Sequence, residues 1–230
     1  MISVVIPTLN EAGTIGPVFD ALAGEATAHE VIVADGGSTD GTPALAAARG
    51  ARVVAAPRGR GHQLRAGAEA AQGDVLLFLH ADSRLAPGTL AALAAAMADP
   101  AVTGGNFRLL FDGEDGFSRW LTGFYAWFRR RGLYYGDSGM FVRRTAYDRL
   151  GGMPALAIME DYALARRMER LGGTLCIAEP PLTTSSRRFR GRHPVRIVAK
   201  WLVMHTLYHL GVPPARLARL YDRKTKAEEP

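Results

Sequence analysis

Residues 74–82 read DVLLFLHAD. Five consecutive apolar residues, Val75 to Leu79, leave no polar position on either side of an extended strand. Successive side chains of a strand point to opposite faces, so this strand has to be covered on both. Burial on two faces is the mark of a central strand in a parallel sheet with helices above and below. His80 and Asp82 then emerge together at its carboxyl end, two residues apart and on the same side.

The neighbouring sequence supports that sheet. Ser3–Pro7 (SVVIP), His29–Ala34 (HEVIVA) and Ala51–Ala55 (ARVVA) are short β-branched runs. Between them lie helical patterns: Thr14–Ala23 with Ile15, Val18, Phe19 and Leu22 on one face, an alanine-rich stretch ending at Arg49, and a helix around Gln63–Ala71. Pro87–Ala98 reads as a further helix with Pro87 near its start. Alternation at this spacing predicts βαβ units in a doubly wound α/β fold. Ligands of such sheets bind at the carboxyl ends of the strands. The polar loops should therefore bring Asn10, Glu11, Asp35, Arg60 and Asp82 to one crevice. The second half is less regular. A strand is predicted over Val102–Phe111, and an aromatic helix over Gly116–Arg131, with Phe117, Trp120, Leu121, Phe124 and Phe128 on a broad inner face and Tyr125 and Trp127 outside. A helix over Glu160–Leu171, a short strand over Thr174–Ala178 and helices over Arg196–Leu210 and Pro214–Tyr221 follow.

Composition sets bounds. The chain has 230 residues, 48% hydrophobic and 22% charged, which excludes wholesale disorder. Cys176 is the one cysteine, so no internal disulfide can form. The opening stretch has neither the basic nor the long apolar segment of a secretory signal, and the expected location is the cytoplasm, with the inner membrane surface as an alternative. No uncharged apolar run approaches the ~20 residues of a spanning helix. Net charge is +6, unevenly spread. From Arg187 to Pro230 there are eleven Lys or Arg and three Asp or Glu, a balance of +8; the remainder holds 17 against 19, or −2. Such a tail favours phosphate-bearing substrates, acidic lipid or nucleic acid, or is simply a solvated surface.

Several chemistries are excluded. There is no GxGxxG after the first strand and no GxxxxGK[ST], and Gly59 and Gly61 follow the third strand instead. No Cys/His cluster has zinc spacing. What remains is carboxylates at strand ends. Asp35 can accept a nucleobase N–H, or can simply hold its turn. His80 and Asp82 form a partial shell for Mg²⁺ or Mn²⁺ completed by diphosphate oxygens, or Asp82 caps a helix. Glu160 and Asp161 open a helix; they stabilise its positive end, or one of them is a general base. The helix dipole lowers a carboxyl pKa and burial raises it, and the sequence leaves that contest open.

VIPTLNE, ADGGSTDGT, LLFLHAD, GDSGMFVRR and IMEDYALARRM, in this order from about Ile2 to about Arg170, resemble the family 2 glycosyltransferases. The likeness is nearest to a short bacterial group called transferase 2, associated with radical-SAM and selenium-related gene neighbourhoods. It implies a GT-A fold: a mostly parallel central sheet flanked by helices, here with a helical C-terminal extension. It implies a glycosyltransferase domain over residues 1–190, with a nucleotide-binding half (1–100) and an acceptor half (101–190), followed by a basic helical extension (191–230). It also implies inverting transfer of a sugar from a nucleotide-diphosphate donor, UDP-linked or GDP-linked, assisted by a divalent cation (Mn or Mg). By the same likeness Pro7, Thr8, Asn10 and Glu11 form the first nucleotide loop and Asp35, with Gly37 beside it, recognises the base. Ala81 and Asp82 contact the donor, Asp82 holds metal with His80 at the place of a first acid, and Asp161, paired with Glu160, is the catalytic base. Arg60, Arg65 and Arg188 are candidates for the diphosphate, Asp137 and Gly105 for the acceptor side. His205 is either a further metal ligand or a packed helix histidine. The acceptor is open: a small molecule, a lipid or a glycan. Peripheral membrane contact or a homodimer would use the C-terminal helices, and no nucleic-acid partner is implied. Two competing readings are a sugar-nucleotide nucleotidyltransferase, which would want a Gly-rich basic loop where this chain has TLNEAGT, and a nucleotide-sugar or glycan-binding scaffold that has lost catalysis.

Overall fold

The computed structural model describes residues 1–186 and 194–226, with Pro194 and the last five as backbone only. The first half alternates as predicted: β1 (Ile2–Thr8), α1 (Gly16–Ala23), β2 (His29–Asp35), α2 (Thr42–Ala48), β3 (Arg52–Ala55), α3 (Arg60–Ala70) and β4 (Val75–Phe78). β5 (Arg84–Leu85) and α4 (Thr89–Met97) lead to β6 (Gly104–Phe111) and α5 (Gly116–Arg129). Then come a single 3₁₀ turn at Gly136–Ser138, β7 (Met140–Arg143), α6 (Arg144–Arg149), α7 (Glu160–Leu171), β8 (Thr174–Thr184), α8 (Pro194–His209) and α9 (Pro214–Lys226).

Eight strands form one sheet in the order β3-β2-β1-β4-β7-β6-β8-β5. β3, β2, β1 and β4 are mutually parallel. β4 is central as predicted, but its other neighbour, β7, runs antiparallel to it, so the sheet is mixed at its middle. The alternation along β1 and β4 explains their apolar runs. Val4, Ile6, Val75 and Leu77 enter one core with α1 and α4 residues, while Val5, Leu76 and Phe78 enter a second core with α3 and α7 residues. Each face of the sheet thus has its own hydrophobic layer, which is why no polar residue interrupts these strands. A third, small cluster of Leu109, Phe111 and Leu121 ties β6 to α5 and to Trp201 of α8.

β8 extends well beyond the Ala178 end expected from sequence. Pro180 and Pro181 sit where the register slips: Phe107 faces Ile177, and pairing resumes at Leu109 with Leu182. Residues without an N–H are tolerated at such an irregularity. β5 and α6 carried too few residues to be read at all.

Candidate active site

The carboxyl ends of β1 and β4 open into a cavity of about 340 Å³. Pro7, Thr8 and Glu11 from the first loop line it, with Arg60 and Gln63 of α3, His80, Ala81 and Asp82 after β4, and Asp137 and Asp161 from the second half. This size is in the range of small-ligand sites. A second cavity of about 300 Å³ adjoins it, between the start of α7 and the helices α8 and α9. Arg60, Tyr125, Tyr135, Asp161, Trp201 and Tyr221 line both, so Asp161 stands where the two meet.

Asp161 is held from three sides. Its Oδ2 accepts from Arg60 Nη2 at 3.1 Å and from the Gly136 amide at 2.9 Å, and its Oδ1 from the Tyr162 amide at 2.7 Å. Arg60 Nε also donates to Glu160 Oε1. Glu160 is fully buried and its Oε2 has no hydrogen-bond partner. Burial pushes both carboxyls up. For Glu160 burial wins over the Arg60 charge, and its pKa is raised. For Asp161 the Arg60 charge and the two amides together overcome burial, and its pKa is lowered. Arg60 itself is desolvated, yet the two carboxylates more than offset this and keep it firmly protonated. The open contest between dipole and burial is thus decided by a residue from α3. The pair splits, with Asp161 ionised and one lone pair of its Oδ1 left to accept a further proton donor.

Two close approaches make this possible. A Cβ on Gly61 would stand 2.6 Å from the Pro154 carbonyl and 2.7 Å from that of Leu156, so only glycine lets α3 dock on this loop and present Arg60. A Cβ on Gly136 would stand 3.1 Å from His80 Nε2 and 3.3 Å from Asp161 Oδ2. His80 therefore reaches the same spot as Asp161. Met159, just before α7, has φ 67°, a conformation strained for a non-glycine residue, and it lines the second cavity beside Glu160 and Asp161.

The other expected residues divide. Asp35 is buried at the end of β2 but faces its own loop. Oδ1 accepts from Thr8 Oγ1 at 3.0 Å and Ser38 Oγ at 2.5 Å, and Oδ2 from the amides of Gly37 and Ser38, both at 2.9 Å. All four lone-pair directions are taken, so a base N–H would have to displace the Ser38 hydroxyl. Burial raises the Asp35 carboxyl, but these donors together hold it below the usual value. Asn10, at φ 57°, is exposed and ties the first loop to the second, its Oδ1 accepting from the Thr39 amide at 2.8 Å. Asn10, Asp35 and Gly37 thus brace the cavity mouth without lining it. Arg65 is on the exposed face of α3, paired with Glu69 at 3.0 Å and away from both cavities, which corrects the expected diphosphate contact. Gly105 is also off the site: a Cβ there would lie 1.9 Å from the Leu175 carbonyl, so it serves the close pairing of β6 with β8. Arg188 lies outside the described residues.

Sequence reasoning singled out the aromatic helix but did not foresee the full aromatic wall. Tyr125, placed outside by helical spacing, points inward, while Trp127 is exposed. Tyr135 reaches His205, its hydroxyl 2.8 Å from Nε2. His205 is accordingly a packing partner of the wall, and burial lowers its pKa. No signal in a single sequence marks Trp201 or Tyr221 as cavity residues, because their helices are placed only by tertiary contacts. Among the described residues no group of three or more His, Cys, Asp or Glu is arranged to hold a metal. Asp82 and His80 do line the cavity together, and that pair suits a hard cation that takes most of its ligands from a diphosphate and water.

Residues 3–151 match the model of glycosyl transferase family 2. The chain belongs to that family. A glucosyl-3-phosphoglycerate synthase of Mycolicibacterium paratuberculosis is 39% identical over 92 residues, 35% of this chain and 28% of that protein. The chain therefore matches little more than a quarter of that relative's length. Among solved structures, Staphylococcus aureus TarS 1–349 superposes with a TM-score of 0.69 at 17% identity, over 90% of this chain and 65% of that one. Glucosyl-3-phosphoglycerate synthase of Mycobacterium tuberculosis, in complex with Mn²⁺, UDP and glucosyl-3-phosphoglycerate, superposes with a TM-score of 0.60 at 24% identity, over 93% and 81%. These likenesses establish the GT-A fold that the motifs implied.

Proposed function

We propose that this family 2 protein transfers a glycosyl group from a nucleoside-diphosphate sugar to a hydroxyl acceptor with inversion. The supporting observation is the place of Asp161 at the junction of two cavities, ionised and with one acceptor position open. The first cavity takes the donor, and the second takes the acceptor. Asp161 removes the hydroxyl proton as the acceptor oxygen attacks the anomeric carbon. The bond from that carbon to the diphosphate oxygen breaks on the opposite side, and the nucleoside diphosphate leaves with both electrons. The proton on Asp161 then passes to solvent. General-base assistance of this kind is typically worth about 10²–10⁴-fold. Arg60 orients Asp161 and keeps it charged instead of contacting the diphosphate. A divalent cation, Mn²⁺ or Mg²⁺, held by Asp82 with His80 beside it, neutralises charge on the diphosphate when bound.

The donor nucleotide we propose is UDP, in line with the UDP of the mycobacterial complex, with GDP as the alternative. Reducing conditions suit the free Cys176, so the cytoplasm is the proposed location. A screen of nucleotide sugars by thermal shift, followed by an assay of sugar release, tests the reading. The expected result is a stabilising donor whose slow hydrolysis is stimulated by Mn²⁺, with Asp82→Ala losing the Mn²⁺-dependent part of donor affinity. Pyrophosphate-dependent breakdown would indicate a nucleotidyltransferase, and binding without breakdown a scaffold.

A further inference from the structure

Met1 apart, every exposed large hydrophobic side chain among the described residues lies on α5 or from Val195 onward. On α5, Phe117, Trp120, Phe124 and Trp127 recur at helical spacing and form a stacked ladder, with ring centroids 5.0–6.2 Å apart. Trp201 of α8 stacks on Phe124 at 5.9 Å, so the two helices share one aromatic surface. Beside it α8 exposes Val195 (67%), Leu202 (66%) and Val203 (51%), and Leu210 just after it is 75% exposed. A face of this kind is too apolar to be left in water without a purpose.

The charge of the same elements selects the occupant. Gly116–Arg131 and α8 hold six Lys or Arg and no Asp or Glu, and of these Arg129 is ion-paired with Glu169. Arg131 lies over the Trp127 ring, 3.7 Å from its centroid, so cation and aromatic share one edge of the face. A second copy of the chain would bring the same positive charge to the interface and be repelled. Nucleic acid would leave the leucines and valines without a partner. Aromatic rings, aliphatic side chains and arginines together match the headgroup region of an anionic leaflet. No described helix is long and apolar enough to cross a membrane, so contact would be in the plane of the surface. We propose that the outer faces of α5 and α8 dock the protein on an anionic lipid bilayer. The inner faces of the same helices line the second cavity through Tyr125, Trp201 and Met204, so docking brings that cavity to the leaflet.

The inference stands on the surface alone and is tested without reference to transfer. Full-length protein is mixed with vesicles of phosphatidylcholine, with and without a third of phosphatidylglycerol, and binding is read by co-sedimentation and tryptophan emission. Two of the three tryptophans, Trp120 and Trp127, are exposed on this face, so emission reports mainly on it, while Trp201 lines the cavities beneath. The expected result is binding to the anionic vesicles with a blue shift, weakened by salt. Leu202→Asp should reduce the affinity roughly tenfold or more through loss of one buried leucine, and Arg196→Glu should reduce it without touching the apolar face. Thermal melts establish that each variant is folded. Failure of the wild-type chain to bind anionic vesicles, equal binding to neutral ones, or binding indifferent to both substitutions overturns the proposal. So does a concentration-dependent dimer that Leu202→Asp dissolves while vesicles bind neither form.

Discussion

The two walls of the site are built on different principles. The wall from β1, β2 and β4 is held by its own loops: Asp35 accepts four hydrogen bonds, and Asn10 and Asp40 bind backbone amides of neighbouring turns. The wall from α5, α7, α8 and α9 has few such ties and is assembled from stacked rings and side-chain pairs such as Tyr135 with His205 and Tyr162 with His209. A tethered wall keeps one geometry. A packed wall depends instead on which helices meet, because its rings are held by one another and not by their own loops. Arg60 joins the two, reaching from α3 to the first residues of α7.

The largest effect should follow from breaking that link. Arg60→Met leaves Glu160 and Asp161 buried side by side without a counter-charge. Loss of one partner from a buried ion pair typically removes about 3–5 kcal/mol, so the urea midpoint should drop sharply. A midpoint within error of the wild type would show that the walls are held together elsewhere. On the tethered side, Asp35→Asn puts an amide NH₂ against the amides of Gly37 and Ser38 and should cost about 1–3 kcal/mol in the same measurement. Its acid dependence has a defined sign. The carboxyls of Asp35 and Asp161 sit below their ordinary value of 3.8 when folded, so their contribution is present above that pH and fades as pH falls through the folded values. The acid limb of stability should flatten in Asp35→Asn. On the packed side the smallest effect is expected. His205 has a folded pKa below 6.5, so its contribution is present above pH 6.5 and declines as pH falls through the folded value. Melts of His205→Gln should lose that dependence, by under about 1 kcal/mol.

The same contrast governs what the amino-acid sequence revealed. The apolar runs of β1 and β4 can be satisfied only by burial on both faces, so the sheet and its strand-end loops were legible in short windows. Glu11, His80 and Asp82 follow from those loops, Thr8 and Asp161 from the family likeness, and all five line one cavity. Asp35 shows the limit: it does close β2, but it stays out of the cavity lining, its four acceptor directions used by neighbours that only folded geometry reveals. Arg60 was read as a diphosphate contact, because the hundred residues separating it from Glu160 hide the ion pair. The packed wall was illegible for a similar reason. Whether Tyr125 or Trp127 faces inward depends on where α8 packs, and helical periodicity carries no information about a partner helix.

Asp161→Asn probes the junction of the two walls most directly, since the amide keeps the shape and removes the charge and the basicity. With a donor identified, sugar transfer or release should slow at least ~100-fold while donor affinity, measured by calorimetry, stays nearly unchanged. Normal turnover in Asp161→Asn would contradict the role of Asp161 as the base.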